Sequence, residues 1–305
     1  MARINYFAGG ELDRAMPLRA DAAWLAARRD DPRSRYVAVW RGLCLVHGDD
    51  PPRAALLPPD ALADVAPEAA PVALLGVTDG AAHFAVDLSF HDDDPAAGAL
   101  AGQGGFRDLR DVGGRMPAAE AAMLAHARGL LYWHQRHRFC GDCGSPTEAR
   151  EGGNLRVCSD AACAARHFPR TDPAVIVLVS DGERCLLGRQ AKWPRGMHSA
   201  LAGFVEPGES LEEAVAREVK EETGIEVHDV RYHSSQPWPF PGSLMLGFDA
   251  RAATTELAVN RDELEDARWF HRDELRHPPK GLRLPRRVSI ARRLIEDWLS
   301  SFDAR

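Results

Sequence analysis

The sequence predicts an α/β (α+β) fold: a mixed sheet sandwiched between helices in the C-terminal half, preceded by a small cysteine-rich ribbon and an N-terminal α+β domain. Three observations carry that expectation. One amphipathic helix with its own start and stop signals lies within residues 203–225. Strand-like apolar runs flank it at Ala174–Val179 and Leu244–Ala250. Four cysteines fall as two close pairs between residues 140 and 163. The implied boundaries are 1–136 for a scaffold domain, 137–170 for the ribbon and 171–305 for the sandwich, a division that a chain of 305 residues can hold.

In the first third, Tyr36–Val46 and Pro71–Leu88 read as strands, the latter broken by a hairpin-like turn at Asp79-Gly80. Residues 49–59 and 92–105 are broken by Pro, Gly and Asp and read as loops, and no set of catalytic residue types gathers here. Pro117 then opens a helix to about His137. Proline suits the first helical position, where its missing N–H would be unpaired anyway. Met123, Leu124, Ala127, Leu130, Leu131 and His134 trace its apolar side.

Cys140 and Cys143 form a C-x2-C pair followed by Gly144, and Cys158 and Cys163 form a wider C-x4-C pair. Two thiol pairs around a hairpin-sized insert are the pattern of a zinc ribbon, in which four thiolates close a segment that lacks its own core. Two disulfides or four free thiols are the alternatives. His167 reads as a bystander, and Cys44 and Cys185, set among apolar residues, read as small buried hydrophobes.

Ala174–Val179 reads as a buried strand, Asp181-Gly182 as a turn, and Ser289–Phe302 as a closing helix. Between them Ser210 and Glu213 have capping-box spacing, and Gly224 supplies a left-handed stop. Leu211, Ala214, Val215 and Val219 mark the buried stripe of this helix. Glu218, Glu221 and Glu222 stand at i, i+3 and i+4, so their carboxylates converge and repel one another unless a cation joins them. Hard divalent ions take such oxygen ligands and bring substrate phosphates with them. A solvated acidic helix face is the plain alternative, but it leaves the placement of Gly203, Gly208, Glu209 and Arg217 unexplained.

The whole segment resembles the Nudix box, G-x5-E-x7-R-E-U-x-E-E-x-G-U with U aliphatic. Gly203, Glu209, Arg217, Glu218, Val219, Glu221, Glu222, Gly224 and Ile225 fill every defined position. Downstream, residues 235–243 read Ser-Gln-Pro-Trp-Pro-Phe-Pro-Gly-Ser, a proline-aromatic loop stiffened by three prolines. With the cysteine ribbon and the box in this order, it resembles the zinc-ribbon-containing NADH pyrophosphatase (NudC-type) family. The departures are Phe168, where the family often has Tyr, and the C-x4-C spacing.

That resemblance implies a Nudix α/β/α sandwich and metal-dependent hydrolysis of NAD(H) to NMN(H) and AMP, with removal of NAD caps from RNA 5′ ends as the same cut on a second substrate. It implies Mg²⁺ or Mn²⁺ on Glu218, Glu221, Glu222 and, beyond the box, Glu263, with structural Zn²⁺ on the four cysteines. Arg217 would hold the carboxylates in register. Phe168, Phe204, Gln236, Trp238, Ser243 and Ala291 would contact substrate, and the protein would be a homodimer. The rival reading is a nucleotide-sensing ribbon and Nudix module without catalysis.

Composition bounds these readings. Hydrophobic content of 45% and charged content of 27% suit a globular protein, and a net charge of −7 argues against a general nucleic-acid-binding surface. Arg283, Arg286, Arg287, Arg292 and Arg293 gather near the C-terminus, as on a solvated helix face. No apolar run is long enough to span a membrane, and the N-terminal residues lack a secretory h-region. Six cysteines in a chain this large make no disulfide scaffold, so a reducing, cytoplasmic setting is expected.

Overall fold

The computed structural model describes residues 3–67 and 70–303. It divides into two compact units. One holds the chain as far as Thr171 together with Trp238–Gly242, and the other holds Asp172–Pro237 and the chain from Ser243 onward.

The first unit contains β1 (Arg35–Trp40), β2 (Leu43–His47), β3 (Arg53–Ala54), β4 (Val72–Thr78), β5 (Ala81–Asp87) and β6 (Gly105–Arg107), with α1 (Ala22–Arg29), α2 (Leu109–Val112) and α3 (Ala118–Arg136). The sheet order is β3-β2-β1-β5-β4 with β6 beside β2. β1 and β5 run parallel, and the other pairs antiparallel. Asp79 and Gly80 join β4 to β5 at φ of 49° and 75°, the left-handed turn whose twist matches that of the flanking strands. Tyr36, Leu45, Leu74, Phe84 and Val86 build the core on one face. On α3 the six residues of the expected apolar side are all buried. Pro117 caps this helix and is not its first residue, because its ψ of 135° is extended.

The ribbon is a three-stranded antiparallel sheet of β7 (Thr147–Arg150), β8 (Leu155–Cys158) and β9 (Arg166–His167). It is fastened to the N-terminal sheet within the same unit. Asn154 Nδ2 donates to Leu74 O at 3.0 Å, and His134 Nε2 lies 2.7 Å from Gly153 O. A Cβ on Gly153 would come within 2.8 Å of Ala73 Cβ, so this close approach requires glycine.

The second unit contains β10 (Asp172–Ser180), β11 (Arg184–Arg189), β12 (Leu201–Phe204), β13 (Val227–Trp238, all but its last residue), β14 (Ser243–Ala252) and β15 (Asp266–His271), with α4 (Leu211–Thr223), α5 (Arg272–Arg276) and α6 (Ile290–Ser300). The mixed sheet runs β13-β14-β10-β11-β15, with β12 against β10 and β10 parallel to β14. Alternate residues of β10 divide between two cores, as a strand buried on both faces must. Val175, Val177 and Val179 meet Ala214, Val215 and Val219 of α4, while Ile176 and Leu178 meet Ile290, Leu294 and Ile295 of α6. This is the expected α/β/α sandwich.

Residues 235–243 are not the loop that three prolines suggest. Ser235–Trp238 complete β13, and the turn is confined to 239–242. Pro237 is tolerated because β13 lies at the sheet edge, where a missing N–H breaks no ladder. Cys44 and Cys185 are fully buried. Among the described residues no helix is long and apolar enough to cross a membrane.

Candidate active site and metal centre

The site is built on α4. Ser210 Oγ accepts from the Glu213 N–H at 3.3 Å and Glu213 Oε2 accepts from the Ser210 N–H at 2.7 Å, closing the capping box. Gly224 ends the helix at φ 73°, its N–H bonded to Lys220 O. With Ala214, Val215 and Val219 turned into the core, the helix must present Arg217, Glu218 and Glu221 elsewhere.

Arg217 binds this face together. Its guanidinium makes a two-pronged pair with Glu209 (3.0 and 2.6 Å) and reaches Glu218 and Glu221, each at 3.0 Å, and Phe204 O at 3.0 Å. Glu209 also accepts from the Glu206 N–H at 2.7 Å, which ties the preceding loop to the helix. The Arg217 bonds, with that N–H, hold the Glu209 carboxyl down at about 2.

Gly203 has a purely spatial role. It lies on β12 opposite Val175 of β10. A Cβ there would sit 1.9 Å from the carboxyl carbon of Glu218, so the strand must be bare for that carboxylate to lie against it.

Glu222 is the buried member, at 4% exposure. Its Oε2 has no hydrogen-bond partner, and an orphaned buried oxygen in a native fold calls for a ligand. Burial, reinforced by the Glu218 and Glu263 carboxylates, pushes its pKa up to about 8. Burial also raises Glu218, against the opposing pull of Arg217.

Glu263 arrives from a distant segment, and the end of α4 guides it. The last carbonyls of a helix lack partners within it. Here Glu222 O accepts from the Asn260 N–H at 2.9 Å and Thr223 O from the Ala258 N–H at 2.9 Å. Ala258 Cβ lies 2.8 Å from where a Cβ of Gly224 would be, so glycine at 224 serves both the helix stop and this docking. The loop is thereby laid along the helix end, and the ligand atoms of Glu218, Glu222 and Glu263 fall within 4.8 Å of one another. A divalent cation fits such an all-oxygen set around an orphaned oxygen. Glu221 stands outside this trio, half exposed and turned to Arg217.

The trio opens into a cleft of about 550 Å³, which Gly203 and Phe204 also line. Phe204 is 60% exposed. Gln190, Lys192, Glu206 and Asp262 line it too. These four lie on irregular segments, where no periodicity in the sequence marks them.

The remaining expected substrate contacts are not among the residues that line this cleft. Gln236, at 0% exposure, uses its amide to accept from the Ile290 N–H and donate to Val288 O, both at 2.8 Å. Ala291, at 1%, lies in the core under α6. As folded, both serve the seating of α6 and neither presents a side chain to open space. Ser243 begins β14, half-buried, in register with Asp172. Trp238 belongs to the first unit, where it packs 6.0 Å from Phe7 and 5.0 Å from Phe240. Phe168, also in the first unit, stays 63% exposed beneath the Arg166 guanidinium.

In the ribbon the sulfurs of Cys140, Cys143, Cys158 and Cys163 lie within 4.8 Å of one another, with Cys143–Cys158 at 3.4 Å and Cys140–Cys163 at 3.8 Å. Disulfides would need about 2 Å. A tetrahedral ion with bonds of about 2.3 Å to sulfur spaces its ligands by about 3.8 Å, so the quartet fits a structural zinc. Each pair is followed by a left-handed residue, Gly144 at φ 78° and Ala164 at φ 48°. In the wider second pair Asp160 O accepts from both the Cys163 and Ala164 N–H groups, which folds the extra residues into the knuckle. His167 is outside the quartet, with its Nε2 3.4 Å from Cys140 Sγ.

Three family models match consecutive stretches: the NADH pyrophosphatase-like rudimentary NUDIX domain over 33–133, the NADH pyrophosphatase zinc ribbon domain over 135–168, and the NUDIX domain over 170–292. The chain is 46% identical over 193 residues to the NAD-capped RNA hydrolase NUDT12 of Macaca fascicularis, a match covering 59% of this chain and only 42% of that longer protein. It is 44% identical to the NAD-capped RNA hydrolase NudC of Stutzerimonas stutzeri, covering 74% of this chain and 76% of the relative. With the NudC of Mycobacterium bovis BCG Pasteur it shares 40% identity across 94% of this chain and 92% of the relative. The chain belongs to the zinc-ribbon-containing NADH pyrophosphatase (NudC-type) family of Nudix hydrolases.

Proposed function

We propose that the protein is a metal-dependent diphosphatase that cleaves NAD(H) to NMN(H) and AMP, and that it makes the same cut in the cap of NAD-capped RNA. The observation that carries this reading is the trio Glu218, Glu222 and Glu263 gathered around an orphaned buried oxygen at the wall of an open cleft. The relatives' names support the choice of substrate.

The trio would hold Mg²⁺ or Mn²⁺. When bound, such an ion neutralises diphosphate charge and acidifies a water. Arg217 keeps Glu209, Glu218 and Glu221 in fixed relation, so the ligand set is pre-organised. Water adds to one phosphorus, the bridging P–O bond breaks, and the departing phosphate oxygen carries the charge away as a monoester. Glu222 is our choice for the group that accepts the proton of the attacking water. Phe204 offers an exposed ring at the cleft for a nucleotide base, and we assign Phe168 to the nicotinamide end by the family resemblance. The complete glutamate set supports catalysis over nucleotide sensing. A quartet of cysteines spaced for zinc and not for disulfides supports a reducing, cytoplasmic setting. A homodimer, implied by the resemblance, is tested by sedimentation.

The experiment is incubation with NADH and either metal, followed by chromatography of AMP and NMNH. Glu222→Gln should keep the fold and the zinc while lowering turnover by about 10²-fold or more. An unimpaired variant would remove Glu222 from the mechanism, and a wild-type protein that binds but never cleaves would restore the sensing alternative. Parallel rates on NAD-capped RNA rank the two substrates.

A further inference from the structure

The cleft that holds the glutamate trio has a lopsided charge. Five carboxylates line it, from Glu206, Glu218, Glu222, Asp262 and Glu263, and among the described lining residues Lys192 is the one cation. Its ammonium makes no hydrogen bond or ion pair with any described residue. An ammonium that lines a cleft with five carboxylates yet pairs with none of them keeps its charge available to an anion that enters the cleft. Cations on the carboxylates and an anion facing the ammonium would complete that arrangement.

The loop that carries Lys192 is braced. Trp193 N–H donates to Gln190 O at 3.0 Å, closing a turn with Lys192 inside it. Arg189, the last residue of β11, clasps the far side by donating to Trp193 O at 3.1 and 3.2 Å and to Pro194 O at 2.7 Å. The same guanidinium pairs with Glu265 at 2.6 Å, two residues beyond Glu263. The Lys192 turn and the Glu263 segment are therefore anchored on one side chain, which fixes the two against each other.

We propose that Lys192 is a substrate-binding residue that contacts the diphosphate of the dinucleotide in the cleft it shares with the carboxylates. This rests on the diphosphatase reading above and adds to it the group that binds the phosphate oxygens not taken up by metal. Lysine serves here as a point charge on a flexible stem, so its effect follows charge more than shape.

The test is a charge series, Lys192→Arg, Lys192→Gln and Lys192→Glu, read in two ways. In steady-state hydrolysis of NADH, Lys192→Gln should raise KM by about five- to tenfold with kcat changed less than about threefold. Lys192→Glu should raise KM further, and Lys192→Arg should stay within about threefold of the wild type. Calorimetric binding of α,β-methylene-ADP with Mg²⁺, whose methylene bridge prevents cleavage, should follow the same order. The side chain is exposed, so melting temperatures should not move. Equal KM and equal affinity across the series would overturn the proposal, as would a loss that ignores the sign of the charge. If the wild type fails to cleave NADH while binding of the analogue still follows the charge order, the hydrolase reading fails and the phosphate contact stands.

Discussion

Gly203→Ala should disable the active site without unfolding the protein. The new Cβ would lie 1.9 Å from the carboxyl carbon of Glu218, where ordinary contact requires about 3.4 Å, so the carboxylate must retreat by more than an ångström. Glu218 then leaves the cluster it forms with Glu222 and Glu263, and its 3.0 Å bond from Arg217 is strained or lost. A displacement of about 1 Å in a catalytic constellation costs on the order of 10²-fold in rate, and disturbing the contacts that orient a metal ligand weakens metal binding by about 10- to 100-fold. Stability should fall by no more than about 1–3 kcal/mol, because a side chain moves and not the backbone. Calorimetric titration with Mn²⁺ and NADH turnover, each measured beside a melting curve, would record these effects. The decisive control is the double variant: in a Glu218→Ala background Gly203→Ala should cost nothing further, since the group it collides with is gone. An equal penalty in both backgrounds would refute the steric argument.

Three other outcomes follow from the same geometry. In metal-free protein the Glu222 carboxyl, raised to about 8 against 4.5 when unfolded, keeps a proton in the folded state that the unfolded state has lost. Stability should therefore decline as pH rises from about 4.5 to 8, by at most about 3–5 kcal/mol, and level off above; Glu222→Gln should flatten the decline, and thermal melts across that range check both. Arg217→Lys keeps a charge but loses the fork on Glu209 and the reach to Glu218 and Glu221, so turnover should drop by about tenfold or more with little change in substrate affinity, read as kcat against KM. Cys158→Ser should release zinc, measured with a metallochromic dye, and lower the melting point of the first unit while the Nudix unit keeps its own core.

Much of the site was legible because it is local. Capping at Ser210 and Gly224 and the stripe of Ala214, Val215 and Val219 follow from spacings within one helix, where 3.6 residues per turn settle who meets whom. The thiol pairs are legible for the same reason, each lying within a single knuckle. Glu221 shows the limit of such reasoning. Its spacing put it with Glu218 and Glu222, but in the structure it is turned to Arg217, while Glu263, expected beside all three from the resemblance alone, lies with the other two. The proline-rich segment misled in another way: Pro237 suits an edge strand, and whether a strand lies at an edge depends on sheet order, which no window of sequence contains. Gln236 likewise looks available as a polar residue until the packing of α6 over it uses its amide on both sides.

The sequence by itself determined the family, the sandwich, the zinc quartet and the helix that bears Arg217, Glu218 and Glu222, since each is encoded in contiguous spacing. Only the tertiary structure decided why residue 203 must be glycine, why the Glu222 carboxyl is raised, and how Glu263 and Lys192 come to share a cleft with that helix. Those are matters of burial and of approach between remote segments, and they come into being only when the chain has closed on itself.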